Sequence, residues 1–461
     1  MSIAARRAAR RLFSCAGGGG RDLLDELKLR GLISQVSQPE RLLHEKLADG
    51  QKLHLYCGAD PTARSLHLGN IVPLMVMLNF YVRGHDVVAL VGGATGRVGD
   101  PSGRKTERDV MEERTRIDNI ARIKVQLSRF FRNGLEYYSS RRGKHKEVAS
   151  GKLRVLDNYS WWKDVGMLDF LSRYGRHIRI QSMLARESVS ARLDSAEGLG
   201  FNEFTYQILQ AYDFYHMYRE DGVSVQVGGN DQWGNITAGI DLISRADPGA
   251  ARAPAFGVTT PLLTTASGEK FGKSAGNAVF IDPELNTNFD IFQFFYNTAD
   301  ADVARFLKMF TFLPSEEIDA AVSKHMQSPH LRKGQTLLAR EVTDLLHGSG
   351  SGENAQALSD IVFGEFADYN SIACERLIEM FSQAKMLHHA STTASLTDLV
   401  AELSKTSKSG ARRILKQGGV YLGPARTKVT EDTICWAPYL IDNRALLIRI
   451  GKQKCFLVKM A

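Results

Sequence analysis

A chain of 461 residues, 43% apolar and 24% charged, has the composition of a globular protein of roughly two to four domains. Its longest apolar run, Ile71 to Val82, contains Asn79 and is too short to cross a bilayer, and its five cysteines are scattered without a C-x-x-C pair, which argues against a disulfide framework or a zinc knuckle. The net charge of +8 is concentrated at the ends: residues 1–20 carry four arginines and no acid, residues 391–461 carry twelve Lys/Arg against five Asp/Glu, and the middle is slightly acidic.

The head, MSIAARRAARRLFSCAGGGG, is Arg-rich and free of acids, the pattern of a mitochondrial import presequence. Short β-rich runs then alternate with helical spacing. Residues 53–57, 87–91, 154–157, 223–227 and 256–263 are predicted strands, and 68–83, 107–133, 203–219 and 231–245 predicted helices. This alternation predicts an α/β fold with a doubly wound, mostly parallel sheet, whose ligands sit beyond the carboxyl ends of the strands.

The polar, glycine-rich stretches fall at those ends. GADPTARSLHLGN follows the first strand, GGATGRVGDPSG the second, GGNDQWGN the fourth and TTASGEKFGKS the fifth. Four such loops at one edge predict a single composite site. Residues 286–388 lack strand patterns and read as helices interrupted by a flexible HGSGSG loop at 347–352, and 388–395 reads as a linker. Beyond it, two helices lead to a strand in a small basic domain suited to an anionic partner.

The loop TTASGEKFGKSAGN ends in Gly-Lys-Ser, but a phosphate loop needs glycine at 267, where Ser267 stands. A P-loop NTPase is therefore disfavoured. Lys270 and Lys273, hinged by Gly268, Gly272 and Gly276, suit a mobile loop that closes on a triphosphate as its charge develops. His67 and Asn70 flank Gly69 at the mouth of a helix, where they supply donors without a nucleophile. Tyr206, Gln210 and Asp213 share one helix face within an aromatic stretch. No Ser-His-Asp or metal-ligand arrangement competes with these loops.

Taken together, SLHLGN resembles the HIGH signature of class I aminoacyl-tRNA synthetases, and KFGKS their KMSKS loop. With YCGADPTARSLHLGN, GGATGRVGDPSG, FTYQILQAYDF and VQVGGNDQWGNI, the chain from about residue 22 resembles the bacterial and organellar tyrosyl-tRNA synthetases. The resemblance implies a Rossmann-like class I catalytic domain over 21–285, with a dimerisation insertion at about 120–200. It also implies a helical anticodon-binding domain over 286–388 and a small α+β RNA-binding domain over 395–461.

By the same resemblance, Tyr56 and Asp213 hold the phenol of tyrosine, and Asp100, Tyr206 and Gln210 hold its ammonium, with Gln226 nearby. Asp60, His67, Asn70, Gly229, Asp231 and Gln232 serve ATP or the adenylate, and Leu263 meets adenine. Lys270, Lys273 and Ser274 close on pyrophosphate, and Arg412, Arg413 and Lys416 contact tRNA. His67, Asn70, Lys270 and Lys273 form the implied catalytic set.

The implied activity is a tyrosine–tRNA ligase that forms tyrosyl-adenylate from L-tyrosine and ATP, with Mg2+ accompanying ATP. It then charges mitochondrial tRNA(Tyr) as a homodimer in the matrix, away from any membrane. Two departures stand out: Asn70 replaces the last histidine of HIGH, and Phe271-Gly272 replace Met-Ser of KMSKS. A relative that has lost catalysis and only binds RNA is disfavoured by the retained His67, Asp100, Lys270 and Lys273. A tryptophanyl enzyme is disfavoured by Tyr56 and Asp213, which suit a phenol.

Overall fold

The computed structural model describes residues 22–102, 111–141, 149–193, 198–266, 268, 271–274, 277–364, 372–391, 395–432, 434–451 and 454–460. The presequence-like head and Lys270 lie outside these residues. Contacts divide the chain into two units. One runs to Asp282 and includes Ala299–Gly334; the other comprises Pro283–Thr298 and the chain from Gln335 onward.

The first unit is built on a six-stranded sheet: β1 (Gln35–Val36), β2 (His54–Ala59), β3 (Asp86–Val91), β4 (Leu153–Asp157), β5 (Val225–Gly229) and β6 (Phe256–Thr260), in the order β1-β6-β5-β2-β3-β4. β2 to β6 are parallel, and β1 adds an antiparallel edge on β6. All five predicted strands are present. They were legible because strands covered on both faces are continuous apolar runs: 87–91 and 256–260 are buried throughout.

The helix Ile71–Tyr81 is apolar around its whole circumference because it is an interior helix, buried from Ile71 to Phe80 except at Pro73. Helices Phe201–Asp221 and Trp233–Ala246 follow the predicted spans closely, and the first of them ends at Gly222 in the left-handed region. The predicted helix at 107–133 is Glu113–Arg141. The chain order reverses at β2, which is flanked by β3 and β5, and leaves a crevice above their carboxyl ends.

Helix Asp300–Phe310 belongs to this unit and not to a separate helical domain. Arg30 donates to the carbonyls of Lys308, Thr311 and Leu313, and Phe312 packs against Tyr138 with ring centroids 4.8 Å apart. These ties cross the sequence boundary expected at 285.

In the second unit, strands 387–390, 420–422, 427–429, 445–450 and 454–460 form one sheet. Alternate residues of Ala445–Ile450 face opposite cores. Leu446, Ile448 and Ile450 join helices Leu396–Ser404 and Lys408–Lys416, whereas Ala445 and Leu447 join helices Ser351–Phe363 and Cys374–Gln383. The predicted linker is thereby corrected: Leu387–Ala390 is a strand, parallel to Leu457–Met460. The predicted loop at 347–352 is likewise short, since a helix resumes at Ser351.

Candidate active site

Loops after β2, β3, β5 and β6 line one cavity of about 610 Å³ in the first unit, and the helix Phe201–Asp221 closes its side. Of the residues expected to meet tyrosine, Tyr56, Asp100, Tyr206, Gln210, Asp213 and Gln226 all line it. Of those expected to meet ATP, Asp60, His67, Asn70, Gly229, Asp231, Gln232 and Leu263 do so too. Lys270 is outside the described residues. Lys273 and Ser274 form one arm of a two-residue hairpin with Asn277–Ala278. Arg412, Arg413 and Lys416 belong to the second unit, exposed on the helix Lys408–Lys416, whose Ala411 and Leu415 are buried.

Tyr56 and Gln226 are register partners in adjacent parallel strands, so their side chains leave the same face of the sheet. The Tyr56 hydroxyl and Gln226 Oε1 are both buried without a hydrogen-bond partner. Orphaned polar atoms of this kind cost stability unless a ligand satisfies them. Burial and the nearby Asp213 carboxylate hold the Tyr56 phenol well above its ordinary pKa, so it stays a hydroxyl.

Asp213 is 2% exposed. Its Oδ1 accepts from the indoles of Trp161 (2.8 Å) and Trp162 (2.7 Å), and its Oδ2 from the amide of Asn158 (2.9 Å). Burial pushes its carboxyl up to about 7, while these three donors pull it back. None of the three was singled out from sequence. Their signal is the cluster NYSWW directly after β4, at the ligand end of the sheet.

Among the residues expected to hold the ammonium, Asp100 Oδ2 accepts from Gln232 Nε2 (2.7 Å) and its Oδ1 from the Ser102 backbone (3.0 Å). Asn235, also missed, donates to Gln210 Oε1 (3.1 Å) and Gln232 Oε1 (3.2 Å). The Tyr206 hydroxyl donates to Asp60 Oδ2 (2.8 Å). Cys57 lines the cavity as a neutral thiol, its pKa pushed up to about 12 by burial.

The two signature segments meet. Leu68 N–H donates to the carbonyl of Val279 (2.8 Å), Val279 N–H to that of Gly272 (2.8 Å) and Ile281 N–H to that of Leu66 (3.0 Å). The lysine loop is thus hydrogen-bonded to the His67 turn through its returning arm. Asn70 caps that turn, its Oδ1 accepting from the His67 backbone (3.0 Å). The amide of Asn70 therefore fixes the backbone that presents His67. Phe271 stacks on Phe310 with ring centroids 5.2 Å apart, which gives an apolar residue in place of Met a mooring on the helix Asp300–Phe310.

A cavity that sets carboxylates among amide and hydroxyl groups, with its thiol held neutral, suits positioning and charge stabilisation. The sequence profile described as tRNA synthetases class I (W and Y) matches residues 48–364. The chain belongs to that family. It is 60% identical over 439 residues to the mitochondrial tyrosine–tRNA ligase of Saccharomyces cerevisiae, covering 95% of this chain and 89% of that one. It is 37% identical to a tyrosine–tRNA ligase 2 of Bacillus cereus, covering 95% and 99%. Among solved structures, a C-terminally truncated mitochondrial tyrosyl-tRNA synthetase of Aspergillus nidulans aligns with a TM-score of 0.70 and 33% identity, covering 78% of this chain and 99% of that one.

Proposed function

We propose that the chain is a tyrosine–tRNA ligase of mitochondria, which activates tyrosine with ATP and transfers it to tRNA(Tyr). The observation that carries the choice of tyrosine within a family spanning two amino acids is the pair at the base of the cavity. Tyr56 offers a buried, unpartnered hydroxyl beside the buried Asp213 carboxylate. A phenol hydroxyl can donate to Asp213 and accept from Tyr56, whereas an indole N–H offers no acceptor to the Tyr56 hydroxyl and a benzyl group offers neither partner.

Asp100, Tyr206 and Gln210 are then the ammonium ligands, and the loops bearing Asp60, His67, Asn70, Gly229, Asp231, Gln232 and Leu263 receive MgATP, the metal arriving with the nucleotide. Attack of the tyrosine carboxylate on the α-phosphorus expels pyrophosphate, with Lys270, Lys273 and Ser274 facing the leaving group and His67 the α-phosphate. The ribose hydroxyl of the terminal adenosine of tRNA then displaces AMP from the adenylate. No enzyme-bound acyl intermediate is needed.

Arg412, Arg413 and Lys416 form an exposed cationic row suited to phosphates. Met167, Leu168, Ile180 and Phe201 are all more than 60% exposed, an apolar surface that supports a homodimer through this region. The Arg-rich head and the mitochondrial relative support action in the matrix. Amino-acid-dependent ATP–pyrophosphate exchange across the amino acids tests the reading. Tyrosine alone should support exchange, and exchange driven by tryptophan, or by none, would refute it.

A further inference from the structure

Two of the cavity's carboxylates, Asp213 and Asp60, are joined by an unbroken set of hydrogen bonds. Asn158 Nδ2 donates one hydrogen to Asp213 Oδ2 (2.9 Å) and the other to Thr95 Oγ1 (3.0 Å). Thr95 Oγ1 donates in turn to Asp60 Oδ1 (3.0 Å), and Asp60 Oδ2 accepts from Tyr206 (2.8 Å). The amide orientation is fixed at its other end, where Asn158 Oδ1 accepts from the Ala94 backbone (2.7 Å); the reverse orientation would set N–H against N–H.

Every direction in this set follows from that anchor. The threonine hydroxyl has one hydrogen, and because it accepts from Asn158 it must donate to Asp60. Asn158 is fully buried, and Thr95, at the cavity wall, is 3% exposed. Glycine at 92 is part of the arrangement: a Cβ there would lie 2.0 Å from Asp60 Oδ1 and 2.5 Å from Thr95 Oγ1. Between the buried Asp213 and the half-buried Asp60, an amide aimed at one and a hydroxyl aimed at the other offset a repulsion that would otherwise push the acids apart or protonate one of them.

We propose that Thr95, acting through Asn158, is a positioning residue that ties Asp213 at the phenol end of the tyrosine subsite to the Asp60–Tyr206 pair at its ammonium end, so that both ends are set by one polar strut. The inference rests on the tyrosine reading above. Loss of the hydroxyl leaves Asp60 short of a donor and one Asn158 hydrogen unpaired. Asn158 is then seated by Ala94 alone, and Asp213, still held by Trp161 and Trp162, loses the fixed alignment of its third donor.

The test compares the parent protein with Thr95→Val and Thr95→Ser in exchange assays run with tyrosine and with phenylalanine. In Thr95→Val, the tyrosine KM rises about tenfold and the preference for tyrosine over phenylalanine falls about tenfold, while kcat changes little, because one hydrogen bond to a charged group is lost. Thr95→Ser, which keeps the hydroxyl, restores both to near the parent values. A purely structural role would not separate serine from valine in this way. Thr95→Ala carries the same expectation should valine not be accommodated.

A double-mutant cycle of Thr95→Val with Tyr206→Phe, read as tyrosine affinity, should be non-additive by about fivefold or more. Tyrosine-dependent exchange in the parent with KM and amino-acid preference unchanged in Thr95→Val and Thr95→Ala overturns the strut alone, as does an additive cycle. A parent without tyrosine-dependent exchange overturns the tyrosine reading, and the strut with it.

Discussion

A Cβ on Gly272 would lie 2.9 Å from the backbone nitrogen of Gly69, so the lysine loop and the His67 turn touch through two glycines. Gly272 also has φ +86, a conformation that costs other residues about 1 kcal/mol or more. Gly272→Ala is expected to lift the loop from the turn. Adenylate formation, followed by stopped-flow or exchange, should fall at least about tenfold, with tyrosine affinity within about threefold of the parent.

Lys270→Ala and Lys273→Ala should each slow adenylate formation by about a hundredfold and leave tyrosine binding nearly intact, because their charge matters most as pyrophosphate departs. Collapse of tyrosine affinity with a preserved chemical rate would place these lysines elsewhere.

The pH dependence of tyrosine binding follows from Asp213. Its carboxyl is pushed up to about 7 by burial, so below that pH the free protein holds it protonated. The phenol hydroxyl donates best to the carboxylate, so protons compete with tyrosine. KM for tyrosine should rise as pH falls below about 7, approaching tenfold per pH unit, level off above, and lose this limb in Asp213→Asn. The stability sign is the reverse of a salt-bridged acid: with the folded value above the ordinary 3.8, this group's contribution to stability falls as pH rises from 3.8 toward 7.

Tyr56→Phe deletes the orphaned hydroxyl. The free protein should gain about 1 kcal/mol, seen as a higher melting temperature, because a buried unsatisfied group disappears. The ratio of tyrosine to phenylalanine activation should fall at least about tenfold. A loss of stability would mean that the hydroxyl is satisfied in the free protein.

Removing residues 391–461 tests the division of labour. All of the described cavity residues lie in the first unit, so tyrosine-dependent exchange per folded molecule should persist. Charging of tRNA should fall and lose its dependence on salt. The cut also strips Leu447, Cys455 and Leu457 from helices Ser351–Phe363 and Cys374–Gln383, so a low-temperature unfolding step and aggregation should appear in calorimetry. Undiminished charging would make Arg412, Arg413 and Lys416 a solvated surface.

Much of this was legible in the sequence because it is local. VVALV and FGVTT are runs of the residue types that a doubly covered strand demands, and Tyr206, Gln210 and Asp213 keep helical spacing. What was missed depends on distant partners. The two-residue β1 is a strand only because β6 lies beside it. Leu387–Ala390, with two histidines, carries no strand signal and owes its state to residues 457–460. Trp161 and Trp162 were not singled out, and nothing nearby in sequence says that both indoles point at an acid 52 and 51 positions away. Asn235 could have been found, since it stands one helical turn after Gln232.

The parallel pairing of Leu387–Ala390 with Leu457–Met460 has a consequence for how the protein is made. During synthesis, residues 351–383 leave the ribosome with apolar faces whose covering strands are still untranslated, and the strand at 387–390 has to wait for a neighbour about seventy residues later. The first unit has all its parts by residue 334, whereas the second must remain open until residue 460 has emerged. That late closure leaves the second unit, less than a third of the chain, as the last part to gain a closed core.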